Sequence, residues 1–483
     1  VSVYRQFAKD TFIYGLASVL PRAVNVLLVS LHTYVLLPDA YAVNTKFYVL
    51  IAFFNALFTY GMETAFFRFY TRFDKDPKVL RTAFTSLLVS SILFAGLLFV
   101  FREPLLNILE VREEIYLVFI SILLLDTWMV IPYAYLRVTH RSVKFAYYRI
   151  FHVAVYAFFN LFFLIWLPRI WKEGTSVFDW YMSQPKVYYI FLANLIASFL
   201  TFLLFVPMLM RFKLGWDSGL WKKMLGYGLP VMWAGIFYII NENFDKLALD
   251  YYLGGEVMGA YSAVYKIGVF MILFITAFRL GAEPFYFNQS KEKDAPVQYA
   301  HIMTAFVVLG SLIMLSVVMF LPWIVWIFIR NQAYLKALDI VPVILLAYLF
   351  LGIYFNLSVW YKLTDRTRYG MLFSFIGAAI TVLLNIWLIP KIGYMASAWA
   401  TLAAYLVMTV LSFWTGKKYY HIPYQTLKVA FIVLTSAVLS FVMYEFFYRN
   451  WIYKSLLFTL FLILIYRLEQ KTFQALFVWK RKK

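Results

Sequence analysis

The chain contains no cysteine. That excludes disulfides and thiolate metal sites and leaves the redox compartment open. Its five histidines, His32, His140, His152, His301 and His421, fall at no metal-ligand spacing. Charge is scarce, at 14% of residues, and acid is scarcest: 24 Asp and Glu stand against 44 Lys and Arg, a net +20. No loop is long enough to hold a soluble catalytic domain. A cleavable leader is not expected, because the first apolar run continues too far and lacks a small-residue cleavage site. What the chain has instead is hydrocarbon. It is 64% hydrophobic over 483 residues, with a mean hydropathy of +0.76, against about 45–50% apolar in soluble domains. The composition is that of a membrane protein.

Fourteen apolar segments approach the roughly 20 residues that an α-helical span requires. They lie near 11–36, 42–67, 82–101, 114–136, 145–167, 187–210, 228–252, 257–278, 299–320, 338–361, 369–389, 394–415, 428–448 and 451–466. The expected fold is all-α and polytopic. With the N-terminus cytoplasmic, the pieces 1–10, 68–81, 137–149, 211–223, 279–298, 362–368, 416–428 and 467–483 hold about threefold more Lys and Arg than the opposite side. Both termini are therefore expected in the cytoplasm, and the excess positive charge reads as topology rather than as a nucleic-acid footprint. The longest exposed stretches are expected near 169–186 and 279–298.

The sequence repeats itself. Lys46 precedes Gly61-Met62-Glu63 and two aromatics; Lys266 precedes Gly281-Ala282-Glu283 and aromatics at the same spacing. "RVTHRS" with Asn160 nineteen residues after Arg141 parallels "KLTDRT" with Asn385 nineteen after Arg366. "YGL" at 14–16 recurs at 227–229. The order of these matches predicts two six-span lobes, 1–211 and 212–416, related by an axis along the membrane normal. Residues 417–483 add two helices and a basic tail.

Charges inside the spans are candidates for function, since a lipid-facing charge is costly. Arg22 sits about 16 Å into the first span, after Pro21, which is expected to kink the helix. With Lys46, Lys246 and Lys266 it could form an anion site. The alternatives are that Lys46 snorkels to the interface and that Lys246 joins a Glu242–Lys246–Asp250 ladder at i, i+4 and i+8. Asp245 and Glu242 share a face, and a carboxylate pair in a low-dielectric cavity tends to hold a proton or a cation. They are the leading coupling residues. Asp126 is deep in the fourth span and lines the cavity or bonds Thr127. Glu63 and Glu283 belong at the cytoplasmic ends of the second and eighth spans, as an end-fixing or gate pair satisfied by Arg68, Arg279 or loop backbone. Most of the aromatics, 21% of the chain, belong to lipid-facing surface or interfacial belts.

The stretch "YGLASVLPRAVNVLLVSLHTYVL" resembles the first span of oligosaccharide (Wzx-type) flippases in the multidrug/oligosaccharidyl-lipid/polysaccharide (MOP) exporter superfamily, with Arg22, Asn25 and Thr33 on the pattern. "YGMETAFFRF" and "YGLPVMWAG…NENFDKLALDYYLGGEVMGAYSAVYKIG" are similar to the same family. Pro21, Ser30 and His32 depart from it. The resemblance implies two six-helix lobes with alternating access at a bacterial inner membrane. The partner it implies is a polyprenyl-pyrophosphate-linked oligosaccharide among membrane lipids, handled by a monomer without cofactor or bond chemistry. Arg22, Asn25, Lys46, Lys246 and Lys266 would meet the pyrophosphate or headgroup, and H⁺ or Na⁺ would reset the lobes. In related lipid flippases two extra helices form a groove for the lipid tail, and spans 13–14 match that pair. A drug/cation antiporter would share the fold but rely on carboxylates. A membrane glycosyltransferase, polymerase or ligase would need a large outer loop.

Overall fold

The structure is a computed structural model describing residues 3–109, 112–170, 176–290, 292 and 294–481. Among them no strand occurs. We number the long helices α1 Val3–Val35, α2 Pro38–Arg72, α3 Pro77–Val100, α4 Glu113–Val138, α5 Ser142–Ile170, α6 Lys186–Leu209, α7 Ser218–Leu253 and α8 Gly255–Phe287. The series continues with α9 Ala295–Met319, α10 Ile340–Leu363, α11 Arg368–Ile392, α12 Met395–Tyr419, α13 Thr426–Glu445 and α14 Trp451–Gln470. Thirteen of these are long and apolar enough to cross a membrane, and α1 adds a shorter apolar stretch, Val19–Val35. Together they match the fourteen expected segments in order. Side chains beyond 470, which hold most of the basic tail, and those of Tyr14 and Leu16 lie outside the described residues.

Local chemistry sets the helix ends. Prolines open α2 and α3, where a missing N–H costs nothing. Asp76 and Asp217 cap α3 and α7 by accepting from the Lys78 and Leu220 amides at 2.8 and 2.9 Å. Gly254 and Gly393 end α7 and α11 at positive φ. Pro21 lies inside α1, which remains one helix. The exposed stretch expected at 279–298 is shorter than that, because helix continues to Gln289. The 169–186 stretch includes a short helix, Ser176–Ser183.

Contacts divide the chain into two compact units, Val1–Ser262 and Ala263–Lys483. In the first, α6 packs on α4 and α5, α1 on α5, and α7 along α2. The α2–α7 crossing is a direct backbone contact. Tyr60 and Gly61 are left-handed (φ 33 and 73) and interrupt α2. A Cβ on Gly61 would collide with the Gly228 carbonyl. In the second unit α10 is central, buried around nearly its whole girth and apolar throughout. Helices α11 and α12 pair tightly, and α13 docks on α9. Ser436 donates to Ser311 at 3.1 Å, and the buried Lys454 ammonium donates to the Val318 carbonyl at 3.0 Å in the last turn of α9. Lys428 pairs with Glu469 across α13 and α14.

The sequence repeats have repeated geometry. His140 and Asp365, at matching positions, both adopt φ 55. The next amides, Arg141 and Arg366, each reach back 2.8 Å to the carbonyls of Leu136 and Tyr361, closing the same helix-ending turn. Asn160 and Asn385 are fully buried. Each donates to the carbonyl one turn earlier, Tyr156 at 2.8 Å and Thr381 at 2.7 Å.

Candidate functional site

A polar cavity of about 390 Å³ lies within the first unit, among α2, α4 and α5. Asn55, Thr59 and Glu63 line it from α2, Asp126 and Tyr133 from α4, and Arg149 and His152 from α5. Ser198 of α6 donates to Asp126 at 2.8 Å. Thr127, the alternative partner of Asp126, instead donates to the Leu123 carbonyl at 2.7 Å. The Arg149 guanidinium covers the Tyr133 ring at 4.3 Å, a cation–π contact. His152 Nδ1 is 3.3 Å from the Thr201 hydroxyl.

A polar stripe leads away from the cavity. Arg149, His152, Tyr156 and Asn160 are spaced 3, 4 and 4 residues apart, so they share one face of α5. Tyr156 meets the Tyr48 hydroxyl at 3.0 Å, and His32 Nε2 donates to Asn160 Oδ1 at 2.9 Å. The repeat separates the roles of these residues. By the offset that pairs Asn160 with Asn385, the counterparts of Asp126, Arg149 and His152 are Leu351, Ser374 and Gly377. The buried asparagine occurs in both halves, as a packing requirement of the fold would. The three ionisable groups occur in one.

Two of the expected cations, Lys46 and Lys246, hold carboxylates. Lys46 of α2 pairs with Asp250 of α7 at 2.6 Å, with both side chains about a fifth exposed. Lys246 is buried and bonds the fully buried Asp245 at 2.9 Å and the Glu242 main-chain carbonyl. Tyr261 also donates to Asp245, at 2.9 Å. Within the i, i+4, i+8 series, Asp250 is paired with Lys46 across helices, and Lys246 holds its sequence neighbour Asp245. Arg22 and Asn25 are on the exposed face of α1. Lys266 is exposed where α8 tightens into a 3₁₀ turn, Lys266–Gly268, in the second unit.

Glu63 and Glu283 each hold a basic partner at a helix end. For Glu63 it is Arg137, at the end of α4, and not Arg68 or Arg279. Arg68 instead covers the Tyr227 ring at 4.3 Å. Glu283 accepts from Lys362 at 2.7 Å and from Arg279 at 3.0 Å. Arg137 and Lys362 open the matching "RVTHR" and "KLTDR" segments. The ion pair is thus present in both halves, built from the same two repeat positions.

The sequence matches the family described as "Polysaccharide biosynthesis protein" over residues 7–282, more than half of the chain. The chain belongs to this family. The MatE family also matches, over 230–387. The lipid II flippase MurJ, in an inward closed conformation, aligns with a TM-score of 0.70 at 16% identity, covering 94% of this chain and 99% of the other. A multidrug resistance MATE family transporter of the MOP superfamily, inward-facing, aligns at 0.63 and 11% identity over 87% and 96%. These likenesses establish the fold of the family member as the MOP transporter fold. An uncharacterized membrane protein of Methanocaldococcus jannaschii is 25% identical over 240 residues, 48% of this chain and 46% of the relative. The match therefore spans about half the length of that curated protein.

Proposed function

We propose that this protein moves a polyprenyl-pyrophosphate-linked oligosaccharide from the cytoplasmic to the outer leaflet, for cell-surface polysaccharide synthesis. The observation that carries the reading is membership of the polysaccharide biosynthesis family. In the proposed mechanism, residues 1–211 and 212–416 are the two alternating lobes and 417–483 the accessory helices. The protein works as a monomer at a bacterial inner membrane with both termini cytoplasmic. The polar headgroup passes through the protein while the prenyl chain stays in lipid, and no covalent bond changes. Arg22 and Lys266, both exposed cations, meet the pyrophosphate, for which a guanidinium offers paired hydrogen bonds and an ammonium a point charge. The Asp126–Arg149–His152 set is the ion-coupling site, with H⁺ or Na⁺ as the ion. Its presence in one half alone supports that role over the Asp245 and Glu242 pair, because Asp245 is already held by Lys246 and Tyr261.

Proteoliposomes loaded with a fluorescent polyprenyl-pyrophosphate oligosaccharide test the reading. Wild-type protein should flip the lipid under an imposed proton or sodium gradient. Asp126→Asn should flip it with no response to either gradient, and Arg22→Ala or Lys266→Ala should lose at least tenfold in rate while still inserting. Full activity of both cation variants defeats the pyrophosphate assignment. A second reading, cation antiport, is favoured by the two carboxylates in the cavity and by the MatE match. Gradient-driven efflux of an organic cation from the same vesicles, without lipid flipping, selects it.

A further inference from the structure

A second cavity of the first unit differs in chemistry from the polar one. It is an apolar groove of about 650 Å³ between α2, α3 and α7. Leu57, Leu93, Phe94, Leu97, Leu229 and Met232 supply much of its wall. Leu93 and Leu97 are more than half exposed, so the groove is open at the side. Its few polar groups satisfy one another. The Tyr60 hydroxyl meets Ser86, Ser90 donates to Tyr60 at 3.2 Å, and the Trp221 indole donates to Ser86 at 2.8 Å. Nothing in the wall asks for a polar ligand.

The groove has a depth and a charged end. From Ser86 to Leu97 it follows eleven residues of α3, ~16 Å at the helical rise. That is about half of the roughly 30 Å hydrocarbon core, one leaflet deep. Trp216 and Trp221 close the Ser86 end, the position of an interfacial aromatic. Cations surround that end. The Arg81 side chain runs along Gly215, Lys222 and Lys223 follow Trp221 directly, and Arg211 and Lys213 occupy the preceding turn, all four exposed. The neighbouring acids Asp217 and Asp76 are occupied as helix caps. Amides of Gly215 and Asp217 donate to Thr85 and Thr82 at 3.1 and 3.3 Å, which fixes the turn against α3.

We propose that this groove is a binding site for one anionic phospholipid, separate from the polar cavity among α2, α4 and α5. One acyl chain fills the slot between α2, α3 and α7, and the phosphate sits among Arg81, Lys222 and Lys213. Charge complementarity at the tryptophan end selects an anionic headgroup, and the single-leaflet depth matches one chain. The proposal does not depend on what the protein transports.

Native mass spectrometry of the purified full chain, titrated with phosphatidylglycerol or phosphatidylcholine, tests it. The expected result is one retained phosphatidylglycerol with at least a tenfold preference over phosphatidylcholine. Leu93→Trp with Leu229→Trp should remove that lipid by filling the slot. Leu97→Trp alone is the milder filling variant, and gel filtration checks that each remains folded. Arg81→Ala with Lys222→Ala should retain lipid but lose the preference. Equal retention of the two lipids by wild type overturns the site, as does an unchanged count in the folded filling variants. Displacement of phosphatidylglycerol by tenfold less undecaprenyl phosphate also overturns it, and gives the slot to a prenyl carrier.

Discussion

Gly61 and Gly228 let two helix backbones touch, and no other residue fits at the first position. At φ 73 a side chain costs about 1 kcal/mol from conformation alone, and its Cβ would strike the Gly228 carbonyl. Gly61→Ala should therefore lower the unfolding temperature by several degrees and separate α2 from α7. Gly226→Ala, two residues from the crossing, meets open space inside a helix. It should be neutral or stabilise by up to ~1 kcal/mol. Thermal unfolding of both variants in detergent reads the difference. The residues differ as sharply in how visible they were from sequence. Asp126 and Glu63 interrupt apolar runs, so their isolation marks them. Arg149 and His152 do not stand out, because they follow a basic turn and look like its continuation. Their signal was the 3–4–4 spacing on α5 together with the missing repeat counterparts. The Lys46–Asp250 pair had no local signal, since only the packing of α2 on α7 brings the two together.

At the scale of helices, the duplicated ion pairs carry a prediction about purpose. Glu63 and Arg137 are each more than a third exposed, as are Glu283 and Arg279. Exposed pairs contribute about 0–1 kcal/mol, so stability is a weak reason to have them twice. Glu63→Arg and Arg137→Glu should each cost little in unfolding temperature yet reduce transport severalfold, and the double reversal should restore most of it. Equal loss in the single and double variants would mean that position, not pairing, matters. The helices themselves were readable, because fourteen apolar runs and their basic separators follow from the solvent. Their continuity was not. Hydropathy carried no hint that α8 remains helical to Gln289, or that α2 breaks at Tyr60 while Leu280 and Gly281 sit in unbroken helix. The break depends on the Gly228 backbone, a contact far away in sequence.

For the molecule as a whole, the absence of cysteine is experimentally useful. Any single introduced cysteine is the only thiol, so a membrane-impermeant maleimide can map the orientation. Cysteine at His140 or Lys213 should be labelled only after the membrane is opened, and cysteine at Asn331 should be labelled in intact cells. The reverse pattern would invert the topology and with it the direction of transport. One dimension has a further consequence. Helix α2 is 35 residues long, ~52 Å at the helical rise, against a hydrocarbon core of about 30 Å. The turns after its break, Met62–Arg72, still bury Met62, Ala65, Phe66, Phe69 and Tyr70 in the core of the first unit, so the surplus length reaches solvent only at its exposed end, residues 71–75. A nanobody that grips this exposed end would reach α2 from the aqueous side, and its effect on transport would report the helix's motion with the native sequence intact.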